Sequence, residues 1–294
     1  MMRQTSAFAQ SNTVVGFLVT IFLFVKSDIK TTLIPITILS ASSAPLCTPD
    51  RIFPVVWWIF LHLLQFDTSN QIQDVEEDAQ NKPIRPLPAG RISLSHATIL
   101  RWGLVPACWI ISVLHSGSVL FSSMALVLFT ILYNELQGHR HWLTKNIVTA
   151  IGFASFEVGG TFIAGCDARH IDAVGRLSIA ISTAVFATTI HTQDFKDEEG
   201  DRLTGRMTIP IVSPQVGRAS VLPLLSMWSI ALSFVWQLSW ACTVLLLCFS
   251  VLIGGRFLLL RSRTADQTSF LLYNMWLSVI HILPGYWRYL RYQE

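Results

Sequence analysis

Apolar residues run in long stretches along this chain, and the polar positions are gathered into a few segments between them. A membrane-crossing helix needs about 17–25 mostly apolar residues. That pattern predicts spans near 31–47, 52–67, 94–114, 117–136, 147–166, 175–193, 219–237, 239–260 and 270–287. Pro35, Pro45 and Pro54 interrupt the first two, so eight or seven crossings also fit. The apolar stretch Val14–Val25 is short for a span. It is expected to lie in the interface or to prefix the first span, and no small-residue cleavage site marks it as a secretory signal. No polar insertion is long enough for a second domain. The expectation is one all-α, polytopic transmembrane bundle over residues 1–294, with 1–30 as a cytosolic or interfacial segment.

Composition agrees with the pattern. Hydrophobic residues make up 52% and charged residues only 13%, whereas a soluble domain carries about 25% charged residues. Nothing points to nucleic acid. Cys47, Cys108, Cys166, Cys242 and Cys248 lie in or near apolar spans without a C-x-x-C pair, which reads as small buried hydrophobes and not as a disulfide frame or zinc site. With nine spans, 15 of the 21 Lys and Arg fall on the side of the N-terminus, 5 on the other side and Arg101 within a span. The positive-inside rule puts the richer side in the cytosol.

Two polar segments on that side share a plan. An apolar span runs into Asn70, Asp74 and Asp78 and then into Lys82, Arg85 and Arg91; another runs into Asp194, Asp197 and Asp201 and then into Arg202 and Arg206. Spacings of i, i+4, i+8 and of i, i+3, i+7 put each acidic set on one helical stripe. Oxygen donors with no His or Cys beside them suit Mg²⁺, which binds a few carboxylates together with substrate phosphates. Acid beside base, twice over, at the mouth of a bundle is therefore expected to hold metal against a diphosphate, with Arg and Lys donating to the phosphate oxygens. An apolar interior would take an isoprenyl chain and keep water from an allylic cation. The shared plan suggests two related helical halves facing one cavity.

Asn70-xxx-Asp74-xxx-Asp78, the segment from Asn81 to Ser93 and Asp194-Phe-Lys-Asp197-Glu-Glu-Gly-Asp201-Arg resemble the two signatures of the UbiA superfamily of intramembrane prenyltransferases. The resemblance covers the chain from about Lys26 onward. It implies nine transmembrane helices around a central cavity and an isoprenyl diphosphate held through two Mg²⁺ ions, with Asn70, Asp74, Asp78, Asp194, Asp197 and Asp201 as the metal and diphosphate residues. Lys82, Arg85, Lys196 and Arg202 are the expected diphosphate cations, and Tyr133 and Asn134 take cavity positions. Two positions depart from the family. Gln71 replaces a motif Asp, and the Tyr-x-x-x-Lys pattern is Tyr133-Asn-Glu-Leu-Gln137, which leaves Arg140 as the substitute cation. The overall look is similar to fungal UbiA-type terpene cyclases. A multi-pass membrane enzyme of the endoplasmic reticulum, closing a prenyl diphosphate on itself, is the leading expectation. Transfer of the prenyl group to an aromatic or other acceptor is the alternative, and a cation-coupled transporter a distant one.

Glu157 sits in mid-span before Gly159 and Gly160. A carboxylate there is either functional, stabilising a cation or accepting a proton, or a polar tie between closely packed helices. His191 either faces the site or packs, and His62, His96, His115 and His281 read as structural. Phe153, Phe156, Trp57 and Trp58 are candidates for a cation-stabilising wall, although packing or lipid contact is the commoner fate of any one aromatic residue here.

Overall fold

The computed structural model describes residues 13–291, so the first twelve residues of the expected N-terminal segment lie outside the described residues. Helices begin where an apolar run meets a small polar side chain that satisfies a free N–H of the first turn. Thr13 accepts from Gly16 N ahead of α1 (Val14–Val25). Ser93 accepts from His96 N ahead of α5 (Leu94–His115), and Ser116 from Val119 N ahead of α6 (Gly117–Thr130). Asp172, Ser239 and Ser262 do the same for α8 (Ala173–Thr189), α12 (Trp240–Leu259) and α13 (Arg263–Tyr286). The remaining long helices are α2 (Ile34–Ser43), α3 (Ile52–Gln73), α7 (Trp142–Ala164) and α11 (Pro214–Val235). Short α4 (Val75–Asn81), α9 (Glu198–Leu203) and α10 (Ile209–Val212) lie between them.

Contacts close these helices into a ring: α3 packs on α5, α5 on α6, α6 on α7, α7 on α8, α8 on α11, α11 on α12, α12 on α13, and α13 returns through α2 to α3. Two buried clusters fill it. One gathers Trp58, Ile59 and Leu63 of α3 with Ile163 and Ala164 of α7. The other gathers Phe186, Leu225, Phe257, Tyr273 and Trp276. Phe153 of α7 packs against both. The two fully buried indoles each donate to a hydroxyl, Trp58 to Ser112 Oγ at 2.8 Å and Trp276 to Ser229 Oγ at 3.0 Å, as a desolvated donor requires. Outward residues such as Phe121, Phe234, Trp240 and Leu245 are exposed hydrophobics, which is the lipid-facing surface of a polytopic membrane protein.

Among the described residues seven helices are long and apolar enough to cross a membrane, fewer than the nine spans that hydropathy predicts. The difference lies in the first and last spans. Helix α2 has only 10 residues, extended by a five-residue π turn at Ile29–Leu33. Helix α13 has 24 residues but buries Asp266, Ser269, Asn274 and His281, which lowers its mean hydropathy. Both still pack inside the ring.

The cysteines correct the sequence reading. Cys47 and Cys166 form a disulfide across 119 residues, with their Cα atoms 4.8 Å apart. Helices α2 and α7 pack together, so the turns that follow them meet, and Leu46 and Gly165 form a β-bridge alongside. Sequence spacing carries no trace of that meeting. Cys108 is buried as expected, but Cys242 and Cys248 are exposed.

Gly159 and Gly160 let α7 touch its neighbours: a Cβ on Gly159 would overlap the Trp58 ring, and one on Gly160 the Ser40 hydroxyl. Trp58 is fully buried and cannot give way. Gly159→Leu is expected to destabilise the fold by about 1–3 kcal/mol, seen as a lower thermal midpoint in detergent.

Candidate active site

The first acidic motif does not continue as a straight stripe. Helix α3 stops at Gln73, and Asp74 (φ −114°, ψ 28°) turns the chain into α4. In the second motif α8 yields at Thr189 to tight 3₁₀ turns at Ile190–Gln193 and Phe195–Asp197 before α9. Continuous helices would have stacked like charges one turn apart, which is unfavourable. The breaks instead send each carboxylate to its own cation.

Arg206 joins the two motifs. Its guanidinium lies 2.6 Å from Asp74 Oδ1, 3.1 Å from Glu77 Oε2 and 3.1 Å from Asp201 Oδ1. Burial works against its charge, but the Asp74, Glu77 and Asp201 carboxylates hold its pKa above the usual value. Lys145 Nζ meets Asp194 Oδ1 at 2.6 Å, both side chains buried. Lys82, from the first segment, faces Asp197 of the second, and burial lowers its pKa despite that carboxylate. Burial also raises Glu77 above an ordinary carboxylate, with Arg206 opposing. Acceptors are left over: Asp194 Oδ2 and Asp201 Oδ2 are buried with no hydrogen-bond partner. Among the described residues no three His, Cys, Asp or Glu stand together as a ready-made metal cage, and Arg206 occupies the space between Asp74, Glu77 and Asp201. An oxygen-only donor set with unpaired buried oxygens fits a hard divalent cation.

Asn70 is tied into this layer. Its amide donates to Asp74 Oδ2 at 3.3 Å and to Asn134 Oδ1 at 3.2 Å. Asn134 in turn donates to Ser69 Oγ, which donates to Glu135, itself paired with Arg101. The π turn Ile131–Glu135 that extends α6 thus presents Tyr133 and Asn134 to α3. Beneath the polar layer lies a cavity of about 840 Å³, its opening included. Phe66, Phe129, Tyr133, Phe153, Phe156 and Phe186 are among its walls.

Several sequence-predicted residues fall elsewhere. Asp78 turns away from Arg206, and both its oxygens accept from the one Nη1 of Arg85 at 2.8 and 2.7 Å, its pKa raised by burial against that cation. Arg85 is thus spent on a protein carboxylate. Arg202 is a surface partner of Glu198 one turn away, and Arg140 is exposed. Lys196 pairs with its neighbour Asp197 at 2.6 Å and sits 5.1 Å from the Phe270 ring centre. Glu157 does not border the cavity. It is fully buried and accepts from Ser182, which contacts His281 Nε2 at 3.0 Å, while His281 Nδ1–H donates to Pro35 O. That network ties α2, α7, α8 and α13, while Glu157 Oε2 is buried with no hydrogen-bond partner. His191 packs on Gly217 O. Trp58 is core and Trp57 is over half exposed, leaving Phe153 and Phe156 as cavity residues. His62 borders the cavity, with both ring nitrogens bonded to Trp58 O and Ser123 Oγ.

Sequence reasoning missed Lys145, which takes up the second motif's first Asp eight residues along from the vacant Tyr-x-x-x-Lys position at Gln137; its place at the start of an apolar span was the available signal. It also passed over Arg206 and Glu77 as site residues. Gln71 is not a weakened ligand: its amide donates to Phe24 O at 2.9 Å, holding the end of α1.

The comparisons with known proteins bear on this arrangement. A sequence model of the UbiA prenyltransferase family matches residues 32–280. The fumagillin beta-trans-bergamotene synthase af520 of Aspergillus fumigatus is 34% identical over 275 residues, 92% of this chain and 93% of that protein. The polyprenyl transferase eriF of Hericium erinaceus is 25% identical over 230 residues, 74% of this chain and 75% of that protein. A UbiA homolog from Archaeoglobus fulgidus, solved bound to DMAPP and Mg²⁺, shares the fold with a TM-score of 0.70 at 13% identity, over 91% of this chain and 98% of that one.

Arg206→Ala leaves three facing carboxylates without their shared cation, a loss of about 3–5 kcal/mol for a buried pair. The thermal midpoint is expected to fall, and added Mg²⁺ to raise it more in the variant than in the parent, as measured by thermal unfolding in detergent.

Proposed function

The chain belongs to the UbiA prenyltransferase family, and we propose that within it this protein is a Mg²⁺-dependent terpene cyclase, ionising farnesyl or geranylgeranyl diphosphate and closing the allylic cation on the substrate's own alkene. It is a prenyl-diphosphate-using membrane enzyme. The likeness to a fungal bergamotene synthase over almost the whole of both chains is the observation that carries the cyclase reading. The geometry supports it with a charged mouth set over an aromatic chamber.

Asn70, Asp74, Asp194, Asp197 and Asp201 are the residues that would hold the metal, with Glu77 joining them and two ions as the expected number. Magnesium, when bound, supplies charge neutralisation for a departing diphosphate. The chain's own residues do the rest. Lys145, Lys82 and Arg206 are cations already gathered at the mouth, ready to donate to phosphate oxygens. Asp78 keeps Arg85 in place beside them. The cavity below buries an isoprenyl tail for about 0.8 kcal/mol per CH₂, keeps water out, and sets ring faces against a developing cation.

A prenyltransferase is the second reading, favoured by the family as a whole and by the relative from Hericium erinaceus. A transporter would need its acidic residues at the membrane midplane; Glu157 alone is there, sealed in a helix contact.

We place the mouth in the cytosol, with the endoplasmic reticulum as the compartment. The Cys47–Cys166 disulfide lies in the turns at the ends of α2 and α7 remote from the mouth, and disulfides persist on the oxidising side of a membrane. In sealed microsomes treated with a permeant reductant, an impermeant maleimide is expected to label Cys47 and Cys166 only after permeabilisation; labelling of intact vesicles reverses the orientation.

Purified protein in detergent with Mg²⁺ and farnesyl or geranylgeranyl diphosphate, and no acceptor, is expected to release diphosphate and form a cyclic hydrocarbon. Turnover only after an aromatic acceptor is added would reject the cyclase in favour of the transferase. Asp74→Ala and Asp197→Ala are expected to abolish product while the protein still elutes as a single folded species.

A further inference from the structure

Cyclisation ends when a cation loses a proton, and the group that takes it must touch the chamber. Glu157, the mid-span carboxylate, does not. Among the described residues bordering the cavity the one carboxylate is Asp28, just after α1 and before the π turn Ile29–Leu33. Its oxygens are held in place: Thr31 Oγ1 donates to Oδ1 at 2.9 Å and Ser27 Oγ to Oδ2 at 3.1 Å. Asp67 of α3, within electrostatic reach of Asp28, is fully buried, and its Oδ2 has no hydrogen-bond partner. Arg85 lies close enough to attract both carboxyls. The other titratable groups on the wall are poorly suited: both ring nitrogens of His62 are engaged, by Trp58 O and Ser123 Oγ, and the phenol of Tyr133 is a weak base.

We propose that Asp28 is the catalytic base that terminates the reaction. The Asp28 carboxylate takes a proton from the carbon beside the final cation, and the C–H electron pair becomes the new C=C bond. The neutral carboxyl then gives that proton to water at the mouth, alongside the released diphosphate. No oxidant or co-reactant is needed. The assignment rests on the cyclase reading and adds to it the group that fixes where the last double bond falls.

The test follows diphosphate release and organic products together, in detergent with Mg²⁺ and farnesyl or geranylgeranyl diphosphate. Asp28→Asn keeps shape and hydrogen bonding but removes the base. It is expected to release diphosphate within about threefold of the parent, while cyclic hydrocarbon falls about tenfold or more and water-quenched alcohols replace it. Asp28→Glu is expected to recover hydrocarbon. If the Asn variant is not recovered folded, Asp28→Thr takes its place. An unchanged hydrocarbon profile in the neutral variant overturns the assignment and points to diphosphate as the base. Equal loss of diphosphate release and hydrocarbon also overturns it, as does a Glu variant no better than the neutral one. A parent enzyme that makes no cyclic product without an acceptor is a different outcome, sinking the cyclase reading itself.

Discussion

One guanidinium holds this molecule's chemistry together. Arg206 touches Asp74 and Glu77 from the first acidic segment and Asp201 from the second, so segments more than a hundred residues apart converge on a single charge. Three carboxylates this close repel strongly in a poorly solvated site, and without a cation between them the mouth could not close over the cavity. The arginine is a protein-supplied counterion at the place where a divalent metal and a diphosphate bring charges of their own. Lys145 on Asp194 and Lys82 facing Asp197 repeat the arrangement on a smaller scale. Every one of these pairs is strained between two uses, holding the fold and binding a substrate, and several buried oxygens remain unclaimed.

Much of this was legible before any coordinates. The length of the apolar runs places most of the long helices to within a few residues, and the apolar content identifies a membrane bundle. The two acidic segments stand out because charge is rare elsewhere. Three things could not be read. The straight stripes were an extrapolation of helical spacing through Asp74 and Asp194, where repulsion and local cations break the helix. The disulfide joins turns that meet only because α2 packs on α7. The partner of each carboxylate depends on tertiary direction: Asp78 looks back to Arg85, while Glu77, one residue earlier, looks forward to Arg206. Glu157 shows the reverse lesson. Its mid-span position suggested chemistry, but it lies off the cavity, with Oε1 accepting from Ser182 and Oε2 buried without a partner.

The chamber and the mouth are made by different elements. Most of the aromatic walls come from α3, α6, α7 and α8, helices held by the two cores, with Phe153 shared between them. The charged layer comes from helix ends and short turns, where the backbone can bend to aim a carboxylate. Rigid walls below and adjustable donors above suit a site that must grip a headgroup while giving a greasy chain one shape to fold into.

Gln71 gives the arrangement an added coupling. Where the family commonly has an acid, this chain has an amide whose N–H grips Phe24 O, four residues before Asp28. A lost ligand has become a tether, fastening the amino-terminal helix to the very segment that carries Asn70 and Asp74. Any movement of that segment as a headgroup arrives is therefore transmitted through one amide to the rim of the aromatic chamber, so that anchoring the substrate and shaping the space around its tail become a single mechanical event.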